Sequence, residues 1–111
     1  MSLDRIPLCT PNLGEGEFKA VEDVLKSGWL THGPKTKEFE DMFASYIGVD
    51  HAIAMNSCTS ALFLAVLTHD ITGDVLVPSF TFVASANAIV TAGANPVFCE
   101  INYHDCNVNP D

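Results

Sequence analysis

The run Asn56-Ser57-Cys58-Thr59-Ser60 stands directly ahead of an apolar stretch, Ala61 to Thr68, that reads as a helix. A helix N-terminus carries unsatisfied N–H groups and the positive end of the helix dipole, so it attracts anions and phosphate in particular. Short hydroxyl side chains let an anion reach the backbone and add O–H donors of their own. The same residues also suit a plain helix cap, in which Ser57 or Thr59 accepts an N–H of the first turn. Spacing alone favours the cap, and both readings stay open at this point. No Walker sequence and no G-x-G-x-x-G is present, so a nucleoside triphosphate or dinucleotide site is not indicated.

Two other segments hold residues suited to binding. Pro78-Ser79-Phe80-Thr81-Phe82 follows a short apolar run, Asp74-Val75-Leu76-Val77, that reads as a strand. Ligands of open α/β sheets bind beyond the carboxyl ends of strands, where an aromatic can stack on a flat ring. By composition alone, Phe80 and Phe82 belong more often to a core. Ser27-Gly28-Trp29-Leu30-Thr31-His32-Gly33-Pro34 holds the chain's one Trp between two glycines, which suggests a shaped loop. Trp29 suits a plug between helices or a binding wall, and His32 an acid/base group or a solvated turn residue.

Other chemistries find no support. There is no G-x-S-x-G and no Cys/His pair at a diagnostic spacing, so no catalytic residue is nominated. Cys99, His104 and Cys106 form C-x4-H-x-C, which matches no common zinc pattern and lacks a fourth ligand nearby, so no metal is expected. The four cysteines (Cys9, Cys58, Cys99, Cys106) contain no C-x-x-C and read as free thiols.

The elements that must position these residues follow from periodicity. Phe18, Val21, Val24 and Leu25 recur at helical spacing from Glu15 to Leu25, with Gly28 as a stop. A second helix follows Gly33-Pro34, striped by Phe39, Met42, Phe43, Tyr46 and Ile47 and ended by Gly48. Glu17, Lys19, Glu22 and Asp23 on the first helix, and Lys37, Glu38, Glu40 and Asp41 on the second, read as solvated faces. After Gly48, strands are expected at His51–Met55, Asp74–Pro78 and Pro96–Ile101. Helices are expected at Ala61–Thr68 and Phe82–Ala92, and a loop from Tyr103 onward. Strands alternating with helices argue for βαβαβ and a parallel sheet. The expected division is an N-terminal helical segment, residues 1–48, and the start of a parallel-sheet domain, residues 49–111. A parallel sheet needs both faces covered, so three strands with two crossovers read as the beginning of an α/β domain.

The 111 residues are 48% hydrophobic and 17% charged, with a formal net charge of −9. Lys and Arg are too scarce to displace counterions from nucleic acid or to hold an anionic membrane. Asp70, Asp74 and Pro78 interrupt the most apolar stretch, so no run reaches the roughly 18 to 20 residues of a membrane span. Met-Ser-Leu-Asp-Arg-Ile-Pro has no apolar signal-peptide core, and the expected location is the cytoplasm.

Several segments then occur in a specific order. Ile6-Pro7-Leu8 is followed by Leu30-Thr31-His32-Gly33-Pro34-Lys35, Phe39-Glu40 and Ser57-Cys58-Thr59-Ser60-Ala61-Leu62. Val77-Pro78-Ser79-Phe80-Thr81-Phe82-Val83-Ala84, Ala86-Asn87-Ala88, Pro96-Val97-Phe98 and Asn107-Val108-Asn109-Pro110 complete the series. This succession resembles the N-terminal part of the DegT/DnrJ/EryC1/StrS family of pyridoxal-phosphate sugar aminotransferases. The resemblance implies the large domain of a fold-type I transferase, working as a homodimer, that moves an amino group from an amino acid, generally glutamate, to a nucleotide-linked keto sugar. It also implies that Ser57, Cys58, Thr59 and Ser60 hold the cofactor phosphate, that Phe82 stacks on the pyridine ring, and that Trp29 and Thr31 lie near the sugar nucleotide. The lysine that bonds the cofactor and the carboxylate behind its ring nitrogen lie downstream in the family. Lys19, Lys26, Lys35 and Lys37 match no lysine motif of the family, so this chain alone is expected to be inactive. Gly73-Asp74-Val75 departs from the family's Gly-Asp-Glu. A deoxysugar dehydratase of the same fold, with histidine in place of the lysine, and a non-catalytic binding domain are the alternatives.

Overall fold

A computed structural model describes Pro7 and residues 9–110. Ile6 and Leu8 of the first motif lie outside the described residues. Two compact units divide the chain between Ala54 and Met55.

The first unit holds α1 (Glu15–Ser27) and α2 (Pro34–Ile47). Gly14 caps α1 in an extended conformation, and its N–H donates to the Glu17 carboxylate at 2.7 Å. That bond holds the Glu17 carboxyl below its usual pKa. At the other end Gly28 takes φ +71°, where L side chains are strained, and returns its N–H to the Leu25 carbonyl. Pro34 opens α2 at a position whose N–H would be unpaired in any case, and Gly48 closes it at φ +82° with its N–H on the Ala44 carbonyl. These boundaries agree with the sequence pattern.

The burial within α2 does not. Glu40 and Ala44 are its buried residues, whereas Phe39, Met42, Phe43, Tyr46 and Ile47 are exposed. Glu40 therefore does not belong to the solvated face that its charge suggests. The expected strand at His51–Met55 is also absent. The segment alternates exposed His51, Ile53 and Met55 with half-buried Ala52 and Ala54, as an extended chain does, but joins no ladder. A strand is defined by a paired neighbour, and here the Ala54 N–H goes instead to the Glu40 carboxylate at 2.8 Å.

The second unit runs α3 (Cys58–Thr68), β1 (Asp74–Pro78), α4 (Val83–Thr91) and β2 (Asn95–Cys99). β1 and β2 pair in parallel, in register from Asp74 opposite Asn95 to Pro78 opposite Cys99. The Asn95 amide donates to the Asp74 carboxylate at 2.7 Å and pins the first rung. α4 crosses over the pair and packs against both strands and against α3. Val77, Ile89 and Ala94 form the buried core, with Val66 and Val75 packed on it. Leu76, one residue out of phase with Val75 and Val77, is 66% exposed. Beyond β2 the chain turns back, and Ile101 and Val108 form a single antiparallel bridge.

Ile89 is 5% exposed at the centre of this core. Ile89→Ala in the 111-residue chain is expected to cost about 2–4 kcal/mol. Leu76→Ala should cost under about 0.5 kcal/mol there, as an exposed truncation. Urea unfolding followed by helical circular dichroism checks both.

Candidate functional site

Chain order decides where the candidate residues stand. α4 leaves the C-terminal end of β1 and returns to the N-terminal end of β2, so it begins beyond the carboxyl ends of the strands. α3 packs on α4, and its last turn leads through residues 69–73 to the start of β1. Both helices consequently open toward the end of the sheet where α/β folds bind ligands.

At the start of α3, Ser57 is the N-cap, in extended conformation (φ −159°, ψ 154°). Its hydroxyl oxygen accepts the Ser60 N–H at 3.1 Å and lies 3.0 Å from the Ser60 hydroxyl. Ser60 in turn donates its O–H to the Asn56 side-chain oxygen at 2.9 Å. The cap expected from the sequence is thus formed. It still leaves the first-turn N–H groups of Cys58 and Thr59 without an acceptor among the described residues, because a helix cannot supply one there. The side chains of Cys58 and Thr59 are exposed. Two free backbone donors, the Thr59 hydroxyl and the dipole of an 11-residue helix make a donor set that fits a phosphate. Residues 55–111 contain no Lys or Arg, so this set is built of neutral groups.

Phe82 is the N-cap of α4 and its ring is 79% exposed; Phe80 is exposed as well. Neither ring joins the core cluster of Val77, Ile89 and Ala94 among the described residues. With no side-chain oxygen at the cap, the first turn of α4 is braced by Thr81 and Ser85, whose hydroxyls lie 3.0 Å apart. Cys99, read as a free thiol, donates its S–H to the Val77 carbonyl at 3.4 Å.

The Trp29 loop belongs to the first unit. Trp29 is 58% exposed, so it does not plug a gap between helices in this chain. Its ring is nevertheless fixed. The indole N–H donates to the His32 carbonyl at 3.3 Å, and the backbone N–H donates to the Ser27 hydroxyl at 3.1 Å. Gly33 lies under the ring: a Cβ there would come within 2.4 Å of the Trp29 Cδ1. Trp29 and Thr31 line one concavity of about 350 Å³, with Val24, Leu30, Pro34 and Lys35 among its walls. The Glu38 carboxylate, 2.6 Å from the Lys35 ammonium, raises the lysine's pKa above its usual value, and Asp23 also lines this concavity. The supporting roles of Asn56, Thr81 and Ser85 do not emerge from the sequence pattern. The signal for each is a short polar side chain one turn from a helix start.

The chain matches the protein-family model of the DegT/DnrJ/EryC1/StrS aminotransferase family over residues 11–111. It belongs to that family. The spore coat polysaccharide biosynthesis protein SpsC of Bacillus subtilis is 44% identical over 107 residues, 95% of this chain and 28% of the relative. The UDP-4-amino-4-deoxy-L-arabinose–oxoglutarate aminotransferase of Shewanella sediminis is 41% identical over 104 residues, 92% of this chain and 27% of the relative. Among solved structures, the sugar-aminotransferase candidate Spr1654 of Streptococcus pneumoniae, in its PLP form, superposes with a TM-score of 0.85 at 36% identity. That match covers 94% of this chain and 27% of the other. The chain thus spans a little over a quarter of the length of these relatives. The α/β fold expected from sequence, part of a fold-type I transferase, stands, with its first strand unformed here.

Gly33→Ala is expected to displace the indole and expose the loop. Emission from Trp29, the one Trp of the 111-residue chain, should shift and become more accessible to a soluble quencher such as iodide.

Proposed function

We propose that this chain is the N-terminal, phosphate-holding part of a pyridoxal-phosphate aminotransferase that moves an amino group from glutamate to a nucleotide-linked keto sugar. The product feeds polysaccharide, lipopolysaccharide or protein-glycan synthesis in the cytoplasm, and the working protein is a homodimer. The observation that carries this reading is the donor set at the start of α3, in a chain whose relatives include named sugar aminotransferases. When bound, the cofactor supplies an electron sink for exchanging the amino group between donor and acceptor.

This chain's residues bind and orient. The N–H groups of Cys58 and Thr59 and the Thr59 hydroxyl take phosphate oxygens, while Ser57 and Ser60 hold the turn in shape. The exposed ring of Phe82 covers one face of the pyridine ring. Trp29 and Thr31, which line one concavity, meet the sugar nucleotide. Lys19, Lys26, Lys35 and Lys37 lie on α1 and α2, and each is held by a carboxylate on its own helix. None is assigned to the cofactor. We place that lysine, and the carboxylate behind the ring nitrogen, outside residues 1–111, so the isolated chain has no transaminase activity.

The test uses the full-length protein with glutamate and a nucleotide-linked 4-keto sugar. Formation of the amino sugar together with oxoglutarate is expected. A dehydrated sugar without amino transfer would overturn the reading in favour of a dehydratase, and absence of cofactor uptake in favour of a binding module. Thr59→Val is expected to raise the Kd for pyridoxal phosphate about tenfold, the loss of one charge-assisted hydrogen bond. Phe82→Ala should weaken retention several-fold through lost stacking. Equilibrium dialysis against the cofactor measures both.

A further inference from the structure

Ser27, at the head of the Trp29 loop, is a polar residue that the proposed function leaves unused. It stands where α1 ends and one carbonyl loses its helical partner. The Gly28 N–H, which a continuing helix would give to Val24, goes to the Leu25 carbonyl at 3.2 Å as Gly28 turns to φ +71°. The Ser27 hydroxyl takes that place and donates to the Val24 carbonyl at 2.7 Å. Its proton is thereby committed, and a lone pair of the same oxygen accepts the Trp29 N–H at 3.1 Å. One hydroxyl thus ties the Trp29 backbone to the last turn of a 13-residue helix. The side chain is then set by the indole N–H on the His32 carbonyl and by Gly33, where a Cβ would strike the ring. All of these contacts are made within residues 24–33, so the segment shapes itself. Alanine at position 27 would suit the helix better by propensity, but it would make neither of the two bonds.

We propose that Ser27 is a positioning residue for the nucleotide-sugar site: through the Trp29 N–H it fixes the backbone that carries the indole to the substrate. The proposal rests on the assignment of Trp29 to the sugar nucleotide.

The experiment measures kcat/KM for glutamate and for the nucleotide-linked 4-keto sugar separately, on the full-length protein with its cofactor. The two substrates react in turn, so a wall of the sugar site weighs on the second constant alone. Ser27→Ala is expected to lower the constant for the keto sugar about fivefold while that for glutamate stays within about twofold. Ser27→Thr keeps the hydroxyl and should restore the wild-type value. Thr68, the last residue of α3, already makes the equivalent bond, donating to the Leu64 carbonyl at 2.7 Å. Ser27→Cys keeps the shape with a weak donor and acceptor, and should behave like the alanine variant if that variant fails to fold. In a Trp29→Ala background the loss caused by Ser27→Ala should shrink to under about twofold, because the effect passes through that residue. An unchanged constant for the keto sugar in the Ala and Cys variants, an equal loss for both substrates, or a loss that persists in full without the indole would overturn the proposal. A wild-type constant for the keto sugar in Trp29→Ala would instead remove the assignment on which it rests, and the proposal with it.

Discussion

Parallel strands cannot be joined by a tight turn, so the ladder from Asp74–Asn95 to Pro78–Cys99 obliges the chain to leave the sheet and return across it. α4 is that return path, and its length and direction follow from the ladder. Ser79 continues the pairing for one more bond, from its N–H to the Cys99 carbonyl, and then the chain must depart. The residues at the departure, Phe80 to Phe82, are therefore placed at the sheet's carboxyl end, and they are exposed in this chain. α3, packed on α4, brings a second helix start to the same end. A ligand site at this place needs no special device: it is where the topology deposits free N–H groups and uncovered rings.

Much of this is legible in the amino-acid sequence. The pattern places β1 over the residues where it forms, and Gly28 and Gly48 mark their helix ends because each must adopt a positive φ. The order of the motifs points to the family to which the chain belongs. Three features are not legible, each because local pattern is blind to distant partners. His51–Met55 has the composition of a strand, but a strand depends on a neighbour that composition does not reveal. Glu40 has the charge of a surface residue, yet a backbone donor 14 positions later draws it inward. Phe80 and Phe82 have core-like side chains, and only the path of the chain after β1 shows that they stand outside the core.

The two units also differ in electrostatic character. Every Lys and Arg of the chain falls within the first 37 residues, while the second unit's sequence carries Asp70, Asp74, Glu100, Asp105 and Asp111 against none. An anion at the start of α3, as proposed above, would be met by hydrogen-bond donors and a helix dipole, not by a cation of the same unit. Such a site depends on geometry more than on net charge, since backbone donors act only along their N–H directions. This is why the cap formed by Ser57 and its support from Ser60 and Asn56 matter: they aim the donors.

The second unit's small core, in which Val77, Ala88, Ile89 and Ala94 are the buried hydrophobic residues among those described, has a thermodynamic consequence. The heat-capacity change of unfolding and the sensitivity to denaturant both scale with the apolar surface withdrawn from water. A unit with so small a core has a shallow stability curve in place of a steep one. The second unit should therefore melt gradually, its helices fraying ahead of the β1–β2 ladder.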